Sequence, residues 1–196
     1  MTQKFESDEI VILDDFLNQD LFDKAKKRID SHLQEYFLHH NISLEDEGDP
    51  RLFYGFGCNF VEQKKPNIYQ NRYNTEVIRT INEKIKERFG FKKVVRSRLD
   101  MTTYRGKEQV VFGPHIDVNG IHYTTIFYFN TCNAPTIIYE NKLYRGSVDK
   151  NCELVEKQRI LPKENRLMLF QGNHIHTGTN ATDISRRILL NSNFIF

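Results

Sequence analysis

His115-Ile116-Asp117 sets an imidazole and a carboxylate two residues apart. On a strand, side chains at i and i+2 share a face, so this pair can grip one cation from one side. A third ligand has to come from elsewhere in the chain, and His174-Ile175-His176 offers two candidates. Two imidazoles and one carboxylate on one side of a metal leave other coordination positions open, which suits a ferrous ion that takes small molecules as further ligands. An arginine pair, Arg186-Arg187, follows. The planar fork of an arginine pairs bidentately with a carboxylate, such as the distal one of a keto acid. A lone His-x-Asp is common by chance. The order of the features is what points to an enzyme: His-x-Asp, then about sixty residues later a glycine turn leading into the histidines, then Arg187 eleven positions beyond His176.

Elements that could position these residues are legible in the periodicity. Ile10 to Leu13 predicts a short strand, and Asn18 predicts the cap of a helix carrying Leu21, Phe22, Ala25, Ile29 and Leu33 on one stripe. Asn41 to Pro50 is a polar break, Leu52 to Phe60 reads as strand or turn, and the stretch Glu45 to Tyr73 is a candidate substrate lid. A second helix runs from a cap at Asn74 or Thr75 through Val77, Ile78, Ile81, Ile85 and Phe89 to Gly90, which suits a left-handed C-terminal position.

From Val94 the texture changes to strands. Val94 to Tyr104 puts Arg96, Arg98, Asp100, Thr102 and Tyr104 on one face. Asn119-Gly120 is a favoured two-residue hairpin turn just after His115-Ile116-Asp117. Ile121 to Asn130 alternates next, and further strands are expected near Thr136 to Tyr139, Leu154 to Ile160, Arg166 to Phe170, Asn173 to Gly178 and Arg187 to Ile195. Helices followed by many short strands imply a mainly β fold with α: a two-sheet jelly roll with N-terminal helices packed outside one sheet. One domain over 1–196 is expected, with a helical preface of about 1–92 and a jelly-roll core of about 93–196.

Composition narrows the class further. Lys+Arg of 28 against Asp+Glu of 26 gives a net charge of only +2, so nucleic acid is not indicated by the totals. Cys58, Cys132 and Cys152 form no CxxC pair, which argues against a disulfide framework or zinc cluster and predicts a reducing, cytoplasmic setting. No apolar run reaches the roughly 18 residues needed to span a bilayer, and the polar start lacks an export signal, so no membrane partner is expected.

Over Ile10 to Phe196, and most strongly from Tyr104 to Asn193, the chain resembles the 2-oxoglutarate/Fe(II)-dependent dioxygenases, in particular the prolyl-4-hydroxylase-like branch with its microbial and phage-type members. The resemblance implies a double-stranded β-helix (jelly-roll, cupin-like) core, iron held by His115, Asp117 and His176, and the cosubstrate carboxylate held by Arg187. The stretch Thr124 to Asn130 is similar to the family strand whose tyrosine touches the cosubstrate, which gives that role to Tyr128, and Tyr104 is a second hydroxyl of the same kind. Asn133-Ala134-Pro135-Thr136 departs from the family's G-G-x-T run at this point. Fe(II), 2-oxoglutarate and O2 are the implied cofactors, with ascorbate as a compatible reductant. The implied reaction is hydroxylation of an unidentified substrate, a prolyl or other peptidyl residue or a small molecule, with release of succinate and CO2.

Two pairs of candidates stay open on geometry. His174 and His176 share parity; Thr177-Gly178, resembling the family's H-x-G, favours His176. Arg186 and Arg187 have opposite parity, so one points inward; the spacing of Arg187, Leu189 and Asn191 favours Arg187 and leaves Arg186 a surface ion pair. His122 reads as a surface or hairpin histidine. Readings from other classes are a non-catalytic metal-binding jelly roll and a zinc hydrolase. The first gives no reason for Arg187, and the second lacks a general base at H-E-x-x-H spacing.

Overall fold

A computed structural model describes residues 8–40 and 50–196, with residues 50 and 51 described by their backbone alone. In chain order its elements are β1 (Val11–Leu13), α1 (Gln19–Ile29), β2 (Phe37–His39), α2 (Pro50–Phe53), β3 (Gly55–Val61), α3 (Thr75–Phe89), β4 (Lys93–Thr103) and β5 (Tyr123–Tyr128). β6 (Thr136–Lys142), β7 (Glu156–Ile160), β8 (Leu167–Gln171), β9 (His174–Gly178) and β10 (Arg186–Ile195) complete it. Two antiparallel sheets result, one ordered β1-β8-β5-β10-β4-β3-β2 and the other β7-β6-β9. The protein is mainly β with few helices.

Local chemistry accounts for the element ends. Asn18 caps α1 by accepting a hydrogen bond from the Leu21 amide at 2.9 Å, which satisfies one of the orphan donors of the first turn. The helix stops at Ile29, and Leu33 lies beyond it, half-exposed. Gly90 closes α3 with φ 78°, a conformation that glycine adopts without a Cβ penalty. Asn74 precedes α3, but its amide bonds the Arg28 carbonyl and Gln34 instead of capping.

Alternation along the central strands divides the major sheet into two faces. Leu99 of β4, Phe127 of β5 and Leu190 of β10 join Phe22 and Ile29 of α1 and Ile78, Ile81 and Ile85 of α3 in one apolar cluster. Ile126, Tyr128, Met168, Phe170 and Leu189, on the opposite parity, form a second cluster with Ile138 and Ile160 of the minor sheet.

Three sequence expectations change. The first ninety residues are no mere helical preface: β1, β2 and β3 all join the major sheet. Within the expected lid, residues 45–49 lie outside the described residues, and Gly55 to Val61 is the strand β3, hydrogen-bonded to β4. Asn119-Gly120 does turn, with Gly120 at φ 91°, but it closes no hairpin. β5 pairs instead with β8 and β10, because those strands offer apolar partners in register on both sides.

Candidate metal centre and cleft

His115 touches β9 through a single bridge, exchanging backbone hydrogen bonds of 3.0 Å with His176 in both directions. Asp117 follows in a bend, so this pair sits on an irregular segment that runs antiparallel beside β9 rather than on a regular strand. Asp117 and both histidines offer ligand atoms that lie within 4.8 Å of one another. The His176 Nε2 is 3.4 Å from Asp117 Oδ2, and the His115 Nε2 is 3.9 Å from Oδ1. Each histidine has its Nδ1 on a backbone carbonyl, His115 on Gly113 at 2.8 Å and His176 on His174 at 3.1 Å. Those bonds fix the tautomer and turn both Nε2 lone pairs toward the carboxylate.

Asp117 is held from the other side. Oδ1 accepts from Arg96 Nη1 at 3.0 Å and from Asn191 Nδ2 at 3.0 Å, while Oδ2 accepts from Asn193 Nδ2 at 3.1 Å and from the Thr124 hydroxyl at 3.4 Å. Arg96, Asn191, Asn193 and Thr124 come from β4, β10 and β5, whose register brings Arg96 opposite Asn193 and Thr124 opposite Asn193. Burial opposes the charge on Asp117, but the facing His176 and Arg96 overcome it and hold the carboxyl well below the usual range. Burial, then the neighbouring His176, push His115 down, which favours the neutral imidazole.

The donor set fits a divalent transition metal. Ligands about 2.0 to 2.2 Å from a metal stand roughly 3 Å apart across a right angle, and the two histidine–carboxylate separations of 3.4 and 3.9 Å are wider than that by less than about 1 Å. The buried His176 Nε2 has no hydrogen-bond partner among the described residues, an orphaned acceptor of the kind a metal satisfies.

A cleft opens beside this point, walled by His115, His176, Phe112, Ile126, Leu189 and Arg187 among others. Arg187 is buried. Its Nη2 donates to the Thr136 hydroxyl at 2.7 Å, its guanidinium lies 5.6 Å from the Tyr128 ring centroid, and its Nε has no partner among the described residues. Gly178 makes room for it: a Cβ there would sit 3.2 Å from Nη1.

Other sequence candidates fall elsewhere. His174 is buried beyond the cleft, with Nδ1 on the Tyr139 carbonyl at 2.7 Å and Nε2 3.6 Å from Asp8. Shared parity left it roughly 7 Å along the strand from His176, facing a different neighbour. Arg186 is exposed and pairs with Asp30 at 3.0 Å. Tyr128 is fully buried, and its hydroxyl bonds Thr136 at 2.8 Å and Met168 Sδ at 3.0 Å, so it reaches the cleft only through Thr136 and Arg187. Tyr104 lies past the end of β4, 46 % exposed and outside the cleft lining. His122 is buried rather than on the surface, with Nδ1 on the Gly120 carbonyl at 2.9 Å and its ring against the backbone of Gly172. Sequence reasoning assigned no site role to Arg96, Asn193 or Arg98. The one available signal was the row of charged residues on the inward face of β4.

No protein-family model matches the sequence, and no curated protein matches it. Solved structures do match the fold. A prolyl hydroxylase from Trichoplax adhaerens, in complex with a hypoxia inducible factor oxygen degradation domain peptide fragment, aligns at TM-score 0.61 and 15% identity, over 96% of this chain and 84% of that one. The epimerase SnoN in complex with Fe3+, alpha ketoglutarate and nogalamycin RO aligns at TM-score 0.64 and 9% identity, over 96% and 79%. A Pseudomonas putida prolyl-4-hydroxylase aligns at 0.57 and 12% identity, over 97% and 94%. The chain therefore has the jelly-roll fold of the 2-oxoglutarate/Fe(II) oxygenases and prolyl hydroxylases.

Proposed function

We propose that the protein is an Fe(II)- and 2-oxoglutarate-dependent dioxygenase of the prolyl-4-hydroxylase-like kind, built on a double-stranded β-helix with its helices packed on one sheet. The observation that carries this reading is the joint placement of three converging ligand atoms and a buried arginine in one cleft. His115, Asp117 and His176 would hold the iron through Nε2, carboxylate and Nε2. With iron and 2-oxoglutarate bound, the site supplies the oxidising power to insert one atom of O2 into a substrate C–H bond, the other atom leaving in succinate as CO2 is released.

The chain's own residues orient and shield. Arg187 pairs with the distal carboxylate, for which its Nε, without a partner among the described residues, is available, and Thr136 and the Tyr128 ring fix the guanidinium plane. Ile126, Leu189 and Phe112 make the adjoining walls apolar and so limit water. Arg96, Asn191 and Asn193 keep Asp117 ionised and aimed. A hydrolase would need a free carboxylate base, whereas Asp100, the carboxylate that lines the cleft, is paired with Arg98. A peptidyl residue is the substrate class suggested by the peptide in the Trichoplax complex.

The test is succinate formation by metal-free protein reconstituted anaerobically with Fe(II) and then given 2-oxoglutarate and oxygen. Iron-dependent succinate that weakens in Arg187→Ala is the expected result. Failure of 2-oxoglutarate to bind or to perturb the ferrous site would overturn the assignment.

A further inference from the structure

The cleft holds a second guanidinium that the proposed function does not use. Arg98 and Asp100, two residues apart on β4, both line the cleft and form an ion pair with Nε 2.5 Å from Oδ1. That contact is an ion pair by distance, without hydrogen-bond alignment at the buried Nε, and it lies at one edge of the fork. The Nη atoms of Arg98 make no hydrogen bond to any described residue, and the side chain remains 21 % exposed toward the opening. An arginine with a carboxylate beside its Nε keeps its Nη end as a receptor for another carboxylate.

Register separates this group from Arg187. Arg98 pairs across the sheet with Asn191, the residue that clamps Asp117, whereas Arg187 pairs with Thr102. Four residues of strand between those rungs is about 13 Å. Arg98 therefore stands level with the metal corner and Arg187 at the far end of the cleft. On the other side of Arg98 the strand β3 carries Gly57 opposite Asp100, and a Cβ there would fall 2.8 Å from His39 Nε2 and 3.2 Å from Asp100 Oδ1. Glycine at this position makes room for the His39 ring, which also lines the cleft, beside the ion pair.

Resting on the dioxygenase reading, we infer that the substrate carries a carboxylate close to the carbon that is oxidised, bound by the Nη end of Arg98 with Asp100 as its positioning residue. Such a carboxylate has two sources, the α-carboxylate of a free acid or an acidic side chain within a peptide. Matched probes separate them: free L-amino acids against their primary amides, and N-acetyl-L-aspartyl amide against N-acetyl-L-asparaginyl amide. Binding is measured by calorimetry under argon on the Fe(II) protein with saturating 2-oxoglutarate, for the parent protein, Arg98→Gln, Arg98→Lys and Asp100→Asn.

The expected result is at least a tenfold preference for the acid in one of the two series, falling below twofold in Arg98→Gln and to an intermediate value in Arg98→Lys and Asp100→Asn. Equal binding of acids and amides overturns the inference. So does an Arg98→Gln protein that keeps the preference, or one whose loss falls on 2-oxoglutarate affinity, which would assign Arg98 to the cosubstrate. A parent protein that binds no 2-oxoglutarate yet keeps an Arg98-dependent acid preference would overturn the dioxygenase reading and leave an anion site standing.

Discussion

Two buried polar clusters lie on opposite faces of the same strands, and they are built on opposite principles. On the helix side Asn82 donates to Ser97 at 3.0 Å, the Ser97 and Ser192 hydroxyls share a hydrogen bond of 2.8 Å, and Ser192 donates back to Asn82 at 2.9 Å. Tyr69 accepts the other amide proton of Asn82. The circuit is closed, and a closed circuit recovers the desolvation cost of its members and locks α3 onto β4 and β10. On the cleft side His176 Nε2, Arg187 Nε and Asn191 Oδ1 are buried without partners among the described residues. Orphans of this kind cost stability, and they collect where a metal or ligand can complete them. One cluster is complete in itself, and the other leaves buried polar atoms open.

Removing members of each cluster should therefore separate activity from stability. The largest effect belongs to Asp117→Ala, which should lower iron-dependent 2-oxoglutarate decarboxylation by more than about 100-fold; near-normal turnover would sink the metal assignment. Next, the Arg187→Ala variant should raise the apparent KM for 2-oxoglutarate by about 10- to 100-fold, read by succinate titration, since a buried charge-assisted pair is lost. An Asn191→Ala protein should bind Fe(II) about tenfold more weakly while remaining folded, because Asp117 loses two of its hydrogen bonds; unchanged iron affinity would show that Arg96 and Asn193 suffice.

For the closed circuit the reverse pattern is expected. Asn82→Leu takes a partner from three hydroxyls, those of Tyr69, Ser97 and Ser192, and should cost about 1 to 3 kcal/mol in a denaturant melt, with the KM for 2-oxoglutarate unchanged. The mildest effect concerns pH. Burial lowers the pKa of His122 and of His174 from the ordinary 6.5, so the unfolded chain binds more protons than the folded one as acidity rises. Stability should then be full above about pH 6.5 and decline as pH falls below it, visible as a falling Tm between pH 6.5 and 5. A flat Tm across that range would contradict the burial of these imidazoles.

Local pattern explains why so many of the elements could be read in advance. The 3.6 period of Leu21 to Ile29 and of Ile78 to Phe89, and the alternation in β4, β5 and β10, are imposed by burial of one face, so the sequence has to display them. The expected hairpin at Asn119-Gly120 failed because turn chemistry is also local, whereas β5 pairs with β8 and β10, whose partner residues lie forty or more positions away. Tyr104 failed for a related reason: parity continues past Thr103, but the strand does not.

Residue type and spacing brought forward His115, Asp117, the pair His174 and His176 and the pair Arg186 and Arg187, because the chemistry of an open-sided metal site admits few residue types in few orders; the family resemblance then favoured His176 and Arg187. The sequence by itself also determined the two faces of the central strands. It could not decide between His174 and His176, which share parity and differ only in what stands opposite each. Nor could it reveal that Arg96 and Asn193, 97 residues apart, meet over Asp117, or that Arg98 shares a rung with Asn191. Those facts depend on strand register, and register is fixed by the packing of the whole sheet rather than by any stretch of chain within it.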